Sequence, residues 1–342
     1  MIRSPLIFQN TTLHNVVAIA PAPDHKGHRL CRVPFELQPH LNENAQTHSM
    51  RGACCEIRFN LLSETATIVI QTEGEPGLAE VWLGSFLVST HIIHPTPTAI
   101  TIAAPERQPY AHKISLQSHL TFDPMLYRVA LPYRQIVRLH EIVGKVSPPQ
   151  FGQEPETRYL AYGSSITNGS TSSTPTGMYA MLTAQQLGAD LINLGFGGGA
   201  HCEPEMADYI ASRDDWDFAT LELGINMVNW ATVEEFATRA AYFVNKIAST
   251  HRNKWIFCLD MFPFWRDLDE DDKQPAAYRE AVHEIVRRAN FPRLVHIEST
   301  GLLTDWTGLT SDIIHPAPAG MQEIARNLAP IMQRYLADKQ PD

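Results

Sequence analysis

Four short stretches carry residues that could do chemistry together. They are Gly163-Ser164-Ser165, Asn193-Leu194-Gly195-Phe196-Gly197-Gly198-Gly199-Ala200-His201, Gly224-Ile225-Asn226-Met227 and Asp312-Ile313-Ile314-His315-Pro316. Taken singly, each has an ordinary reading: a serine-rich surface turn, a glycine turn, a helix cap, a loop entering a helix. Together they meet the needs of acyl transfer. A serine hydroxyl needs a base, and His315 can supply one, since an imidazole ordinarily titrates near ~6.5. The imidazole needs its other nitrogen held, and Asp312 lies three residues earlier on a turn. A developing oxyanion needs preorganised donors. The glycine run offers backbone N–H groups, Asn226 offers its side-chain NH₂, and the Ser165 N–H is a further donor. The order Ser…Asp…His is one of several that convergent triads use. The glycine run lacks the G-x-x-x-x-G-K-[ST] spacing of a nucleotide cradle, so no cofactor is expected.

The elements that must position these groups can be read from the apolar rhythm. Tyr159–Tyr162 is a short apolar run, as in a buried parallel strand, and it breaks into the small residues of the serine turn. Helices are predicted over Gly177–Leu187, Glu205–Ala211, Pro275–Ala289 and Gly320–Leu336, and strands over Leu191–Leu194, Phe218–Leu223, Trp255–Asp260 and Leu294–Ile297. Thr232 with Glu235 forms a capping-box signature, opening a helix that runs to about Ser249 with Phe236, Ala240, Phe243, Val244 and Ile247 on one face. Such alternation means α/β: a flavodoxin-like, three-layer domain with a five-stranded parallel sheet in the order 2-1-3-4-5. Its ligand site lies at the carboxyl ends of the strands, where all four stretches fall. The segment 262–274, with Trp265, Arg266 and an acidic run, follows the fourth strand and reads as a solvated loop or a rim to the site.

The first half reads differently. Strands are predicted over Cys54–Leu62, Ala66–Gln71, Ala79–Leu83, Ala99–Ile102, Ile114–Leu120 and Ile136–Ile142, separated by turn residues, with no helix-length pattern between them. That suggests an all-β jelly-roll-type sandwich. The proline-rich stretch Lys145–Pro155 reads as a linker. The domains are therefore expected at 1–150 and 156–342. Ten of the histidines fall in the first half. His91 and His94 are the nearest to a metal-ligand pair, but proximity alone supplies no coordination geometry, and no metal is expected.

Composition bounds the partners. The chain has 342 residues, 44% of them apolar, and a formal charge of −10 from 27 basic and 37 acidic residues. No Lys/Arg-rich run appears, so no nucleic-acid footprint is expected. No stretch reaches the length of a membrane span, and the N-terminus lacks a signal-peptide core. Five cysteines without C-x-x-C spacing do not make a disulfide framework or a zinc site, and a cytoplasmic location is expected.

The four stretches resemble the four sequence blocks of SGNH, or GDSL-like, hydrolases. Gly163-Ser164-Ser165-Ile166-Thr167 matches the G-D-S-[IL]-T block, which implies Ser165 as nucleophile. Asn193-x-Gly195-x-x-Gly198 resembles the second block and implies Gly198 as an oxyanion donor, with Gly197 and Gly199 adjoining it. Gly224-x-Asn226 resembles the third and implies Asn226 as the side-chain donor. Asp312-x-x-His315-Pro316 resembles the fourth and implies acid and base. The resemblance covers about residues 158–338. Two family aspartates are replaced, by Ser164 and by Met227. The β-rich front half is similar to the sandwich that precedes SGNH domains in certain carbohydrate deacetylases and in related acyltransferases, and is expected to wall the acyl-acceptor site.

The reading is a serine esterase for small acyl esters, with an acetylated sugar as one candidate. Two alternatives stay open: an acyltransferase using the same triad with an alcohol acceptor, and a carbohydrate-binding protein with an inactive hydrolase half. Acyl-chain length and oligomeric state are not legible in the sequence.

Overall fold

Burial along the strands separates two kinds of sheet. In Thr65–Glu73 buried and partly exposed residues alternate, as in an antiparallel strand with one face on a core. In Asp190–Gly195 and Phe218–Glu222 every residue is buried, as in parallel strands covered on both faces. A computed structural model describes residues 5–118 and 120–337.

The parallel sheet has five strands in the order Asp190–Gly195, Arg158–Gly163, Phe218–Glu222, Trp255–Leu259, Leu294–Ile297. This is the 2-1-3-4-5 order expected from the alternation. Register pairs Gly163 with Gly195 and Tyr162 with Leu221, which brings the glycine and serine turns to one edge. Alternation within the strands sorts the faces. Tyr159 and Ala161 join a core with Met181, Met321 and Leu328, under helices Tyr179–Leu187 and Pro318–Ala337. Leu160 and Tyr162 join a second core with Ile210, Phe243 and Val282, under helices Pro204–Ala211, Val233–Thr250 and Gln274–Ala289. The capping box of Thr232 and Glu235 is formed in both directions.

Residues 6–147 build two antiparallel sheets. One runs Leu6–Phe8, Thr11–His14, Glu56–Leu61, Leu126–Ala130, Gly77–Leu83, Phe86–Ile93, with Val146–Ser147 added on Glu56–Leu61. The other runs Ala18–Pro21, His28–Cys31, Ile136–Val143, Thr65–Glu73, Thr98–Ala103. Both contribute to one apolar core, with Ile57, Phe59 and Val129 from the first and Ile68, Ile70 and Leu139 from the second.

Three expectations for this half need correction. Ile114–Leu120 is not a strand: Ile114 and Ser115 end a helix, Gln108–Ser115, which starts with a proline in its first turn. His119 within that stretch lies outside the described residues. The apolar alternation there had no buried face behind it, since Ile114 and Leu116 are exposed. A second helix, Glu43–Ser49, also interrupts the strands; Asn42 caps it by accepting from the Ala45 N–H at 3.1 Å. The stretch read as a linker is pinned, by pairing of Val146–Ser147 and by the ion pair of Glu154 with Arg58. No described helix is long and apolar enough to cross a membrane. All five cysteines are free and buried.

A buried ionic cluster ties the halves together. Arg58 forks onto Asp190 with two bonds of 2.8 Å and also bonds Glu56 and Glu154. Arg128 adds to Glu56. Burial pushes the Glu56 carboxyl up, but Arg128 and Arg58 outweigh it and hold it down at about 2. Arg32 does the same work with neutral partners. It donates to the carbonyls of Asn193 and Gly195 at 2.8 and 2.9 Å, and to those of His48 and Arg51. The segment 48–51 is thereby fastened to the end of the strand that opens the glycine loop.

Candidate active site

The strand Arg158–Gly163 ends in a very short helix, Ser165–Asn168, capped by the Ser164 hydroxyl, which accepts from the Ile166 N–H. Ser165 is its first residue, where a backbone N–H has no acceptor within the helix. The Ser165 hydroxyl lies 2.7 Å from His315 Nε2. His315 Nδ1 lies 2.6 Å from Asp312 Oδ2. The structure thus brings Ser165, His315 and Asp312 into one line, from sequence positions 150 residues apart.

The acid is held by the turn it stands on. Asp312 Oδ1 accepts from the N–H groups of Ile314 and His315 and from the Thr310 hydroxyl, at 2.8–3.0 Å. Partial burial pushes the Asp312 carboxyl up, but these bonds and the imidazole outweigh it and hold it well below the usual carboxylate range. Ile313 sits in the left-handed region at φ 52°, a costly conformation for a β-branched residue. Its carbonyl accepts from Trp265 N–H at 2.8 Å, which fastens the turn to the rim.

The glycine loop is packed from above by the helix Glu43–Ser49. Asn44 donates to the Gly198 carbonyl at 3.1 Å. Gly198 itself has φ +66°, and a Cβ on Gly197 would lie 2.4 Å from His48 Cε1. Glycine is needed at both places, for conformation at one and close approach at the other. Asn226 accepts the Ala200 N–H on Oδ1 at 3.1 Å. That contact fixes the amide's orientation and leaves its NH₂ as the open end. Ser165, Gly198, Asn226 and His315 line one cleft of about 350 Å³.

Several residues of the site were not singled out from sequence. Glu222, fully buried, accepts the Ser164 N–H at 2.7 Å, the Ser164 hydroxyl at 2.8 Å and the Thr167 hydroxyl at 2.9 Å. Burial raises its pKa against those hydrogen bonds. The signal was present: one carboxylate closing a strand otherwise without charge, at the sheet edge where ligands bind. It stands opposite Ser164, one of the two positions where a family aspartate is missing. Met227, the other, is buried in the core. His48, Arg51 and Arg134 also line the cleft, from the front half, and no local pattern marks them. Burial, then the cations Arg51 and Arg32, push the His48 imidazole down to about 3. It is therefore neutral and accepts from Arg51 Nη1 at 2.9 Å on Nε2.

The segment 262–274 is both a rim and a braced loop. Trp265 lines the cleft, while Asp267 and Asp272 are taken by Arg279 and Arg266. His91 bonds Ser89 and His94 is exposed. Among the described residues, one group could converge on a metal: Glu280, His283 and Glu284, on a helix surface away from the cleft.

Solved structures of known proteins share this fold. A salicylyl-acyltransferase, SsfX3, from a tetracycline biosynthetic pathway superposes with a TM-score of 0.80 at 18% identity, covering 98% of this chain and 97% of its own. A protein from Bacteroides ovatus described as a GDSL-like lipase gives 0.71 at 18% identity, covering 96% and 98%. A family two carbohydrate esterase from Clostridium thermocellum, in complex with cellohexaose, gives 0.60 at 16% identity, covering 83% and 92%. At such identities the likeness is one of fold. No curated protein sequence matches the chain. The model of the GDSL-like lipase/acylhydrolase family matches residues 156–333, and the chain belongs to that family.

Proposed function

We propose that the protein is a serine esterase for small acyl esters, with acetylated carbohydrate as a candidate substrate. The observation that carries this is the line Ser165 Oγ–His315 Nε2, 2.7 Å, and His315 Nδ1–Asp312 Oδ2, 2.6 Å. Ser165 attacks the ester carbonyl as His315 takes its proton. Asp312 orients the imidazole and stabilises its charged form. The N–H groups of Ser165 and Gly198 and the Asn226 amide hold the oxyanion. His315 then protonates the leaving alcohol. Water, activated by His315, cleaves the acyl-enzyme. The sugar candidate draws on the fold shared with the carbohydrate esterase bound to cellohexaose.

A second reading is favoured by the fold shared with the salicylyl-acyltransferase along nearly the whole chain. There an alcohol replaces water in the second step. In both readings the chain divides into a jelly-roll-type sandwich, 1–150, and the hydrolase domain, 156–342. The sandwich walls the acceptor side, as His48, Arg51 and Arg134 in the cleft support.

The test is hydrolysis of p-nitrophenyl acetate, butyrate and octanoate by the wild type and Ser165→Ala, with fluorophosphonate labelling of Ser165. Activity that vanishes in the variant is expected. Labelling without hydrolysis, restored by added alcohols, selects the transferase. Neither turnover nor labelling sinks both readings.

A further inference from the structure

Two guanidinium groups line the cleft with Ser165, and among the described residues neither meets a carboxylate. Arg51 is partly buried, and its side chain bonds His48, an imidazole held neutral. Arg134 is exposed beside it, close enough that, after burial, its charge is the further cause lowering the Arg51 pKa. Among the described residues, no Asp or Glu lines the cleft.

Several other arginines of the chain do meet carboxylates. Arg29 and Arg138 pair with Glu73, Arg58 and Arg128 with Glu56, Arg213 with Asp215, and Arg279 with Asp267. A protein of net charge −10 has acids to spare, yet it leaves two cations side by side in its catalytic cleft. Adjacent like charges repel, and one is partly desolvated, so the arrangement is costly when empty. An anion between them removes that cost, and the planar forks of arginine match carboxylate or phosphate oxygens.

We infer that Arg51 and Arg134 form an anion subsite of this cleft, and that the substrate carries a carboxylate or phosphate on the same small molecule as the reacting acyl group. The inference rests on the acyl-transfer reading of Ser165. Ser165 and both arginines line one cleft of about 350 Å³, the size of a site for one small ligand, so a single molecule can present the ester carbonyl to Ser165 and an anion to the arginines. His48 joins the two functions, since the imidazole that receives Arg51 also packs on Gly197 of the glycine loop.

The experiment compares kcat/KM within matched pairs, each an anionic ester and its neutral counterpart. 4-Acetoxybenzoate against its methyl ester puts a carboxylate on the alcohol side. Mono-4-nitrophenyl succinate against 4-nitrophenyl butyrate puts it on the acyl side. 4-Acetoxyphenyl phosphate against phenyl acetate tests phosphate. At low salt the anionic member of at least one pair should be preferred about tenfold or more, the scale of one charge-assisted hydrogen bond. The ratio should fall toward one in Arg134→Gln and in Arg51→Gln, and with added salt. Arg51 bonds His48 whereas Arg134 makes no hydrogen bond to it among the described residues, so a merely structural role for Arg51 does not account for loss of the ratio in Arg134→Gln. If hydrolysis is slow, benzoate and inorganic phosphate serve as probes. They should retard fluorophosphonate labelling of Ser165, and less so in Arg134→Gln. Neutral esters turned over with no anionic preference in any pair, or a preference unchanged in both variants, overturns the subsite alone. No turnover and no labelling removes the acyl-transfer reading and the subsite with it.

Discussion

Glu222 accepts both the backbone N–H and the hydroxyl of Ser164, at 2.7 and 2.8 Å, from directly beneath the nucleophile turn. A third donor, the Thr167 hydroxyl, reaches the same carboxylate at 2.9 Å. The buried acid thus holds residues on both sides of Ser165. Glu222→Ala strips an acceptor from three buried donors, so a loss of about 2–4 kcal/mol in stability is expected, with a fall in kcat. Glu222→Gln keeps an acceptor for the Ser164 N–H and should be far milder. Its pH dependence has a definite sign. Burial raises the Glu222 pKa, so its stabilising contribution is present at acid pH and is lost as pH rises through the raised value. Denaturant titrations across pH should show the wild type losing ground to Glu222→Gln as pH rises. A pH-independent difference between the two would contradict this.

Asn226→Ala should lower kcat by about 10²–10³, the usual worth of one oxyanion donor, with KM little changed. Steady-state kinetics on p-nitrophenyl acetate reads this directly. A loss below about threefold in a folded variant would remove Asn226 from that role.

The glycine loop is expected to tolerate little. Gly197→Ala would place a methyl 2.4 Å from His48 Cε1, a ring that is buried and cannot swing aside. We expect at least ~10-fold lower activity, since small displacements of an oxyanion donor are costly. The double variant Gly197→Ala with His48→Ala frees the space and should recover part of that loss. Two losses that simply add would show that the clash is not the cause.

Acid stability should depend on the cluster around Arg58. Arg128 and Arg58 overcome burial to hold Glu56 down at about 2, and Asp190 is also held below its usual value against its own burial, chiefly by Arg58. A lowered carboxylate pKa contributes stability that is present above the unfolded value, 4.5 for Glu56, and is lost as pH falls toward 2. Thermal unfolding should show a steep drop through that window. Arg58→Met leaves two buried acids without their shared cation, a loss of about 3–5 kcal/mol at neutral pH. It should also flatten the acid dependence. An unchanged acid profile in Arg58→Met would show that other carboxylates control it.

The sheet order and the residues now lined up at its edge were legible in the sequence for a physical reason. Parallel strands are short and apolar throughout, helices carry a 3.6-residue stripe, and the turns between them are local. Ser165, Asn226, Asp312 and His315 stand just past strand ends or before a helix, so the alternation alone brought them to one edge. The antiparallel half was less legible. Its strands include Leu126–Ala130, wholly buried yet carrying Arg128, and Phe86–Ile93, largely exposed. Neither shows a clean alternation, and Ile114–Leu120 shows one with no buried face behind it. What only the tertiary structure decided is the set of contacts made across the chain: Glu222 beneath Ser164, Arg32 clasping Gly195, and His48, Arg51 and Arg134 in the cleft. These join residues 58 to 163 positions apart, or bring a helix residue and two loop residues of the front half to the edge of the parallel sheet. No local periodicity encodes such pairs, because the force that selects them, burial of a polar group only where a partner awaits it, acts after the chain has folded back on itself.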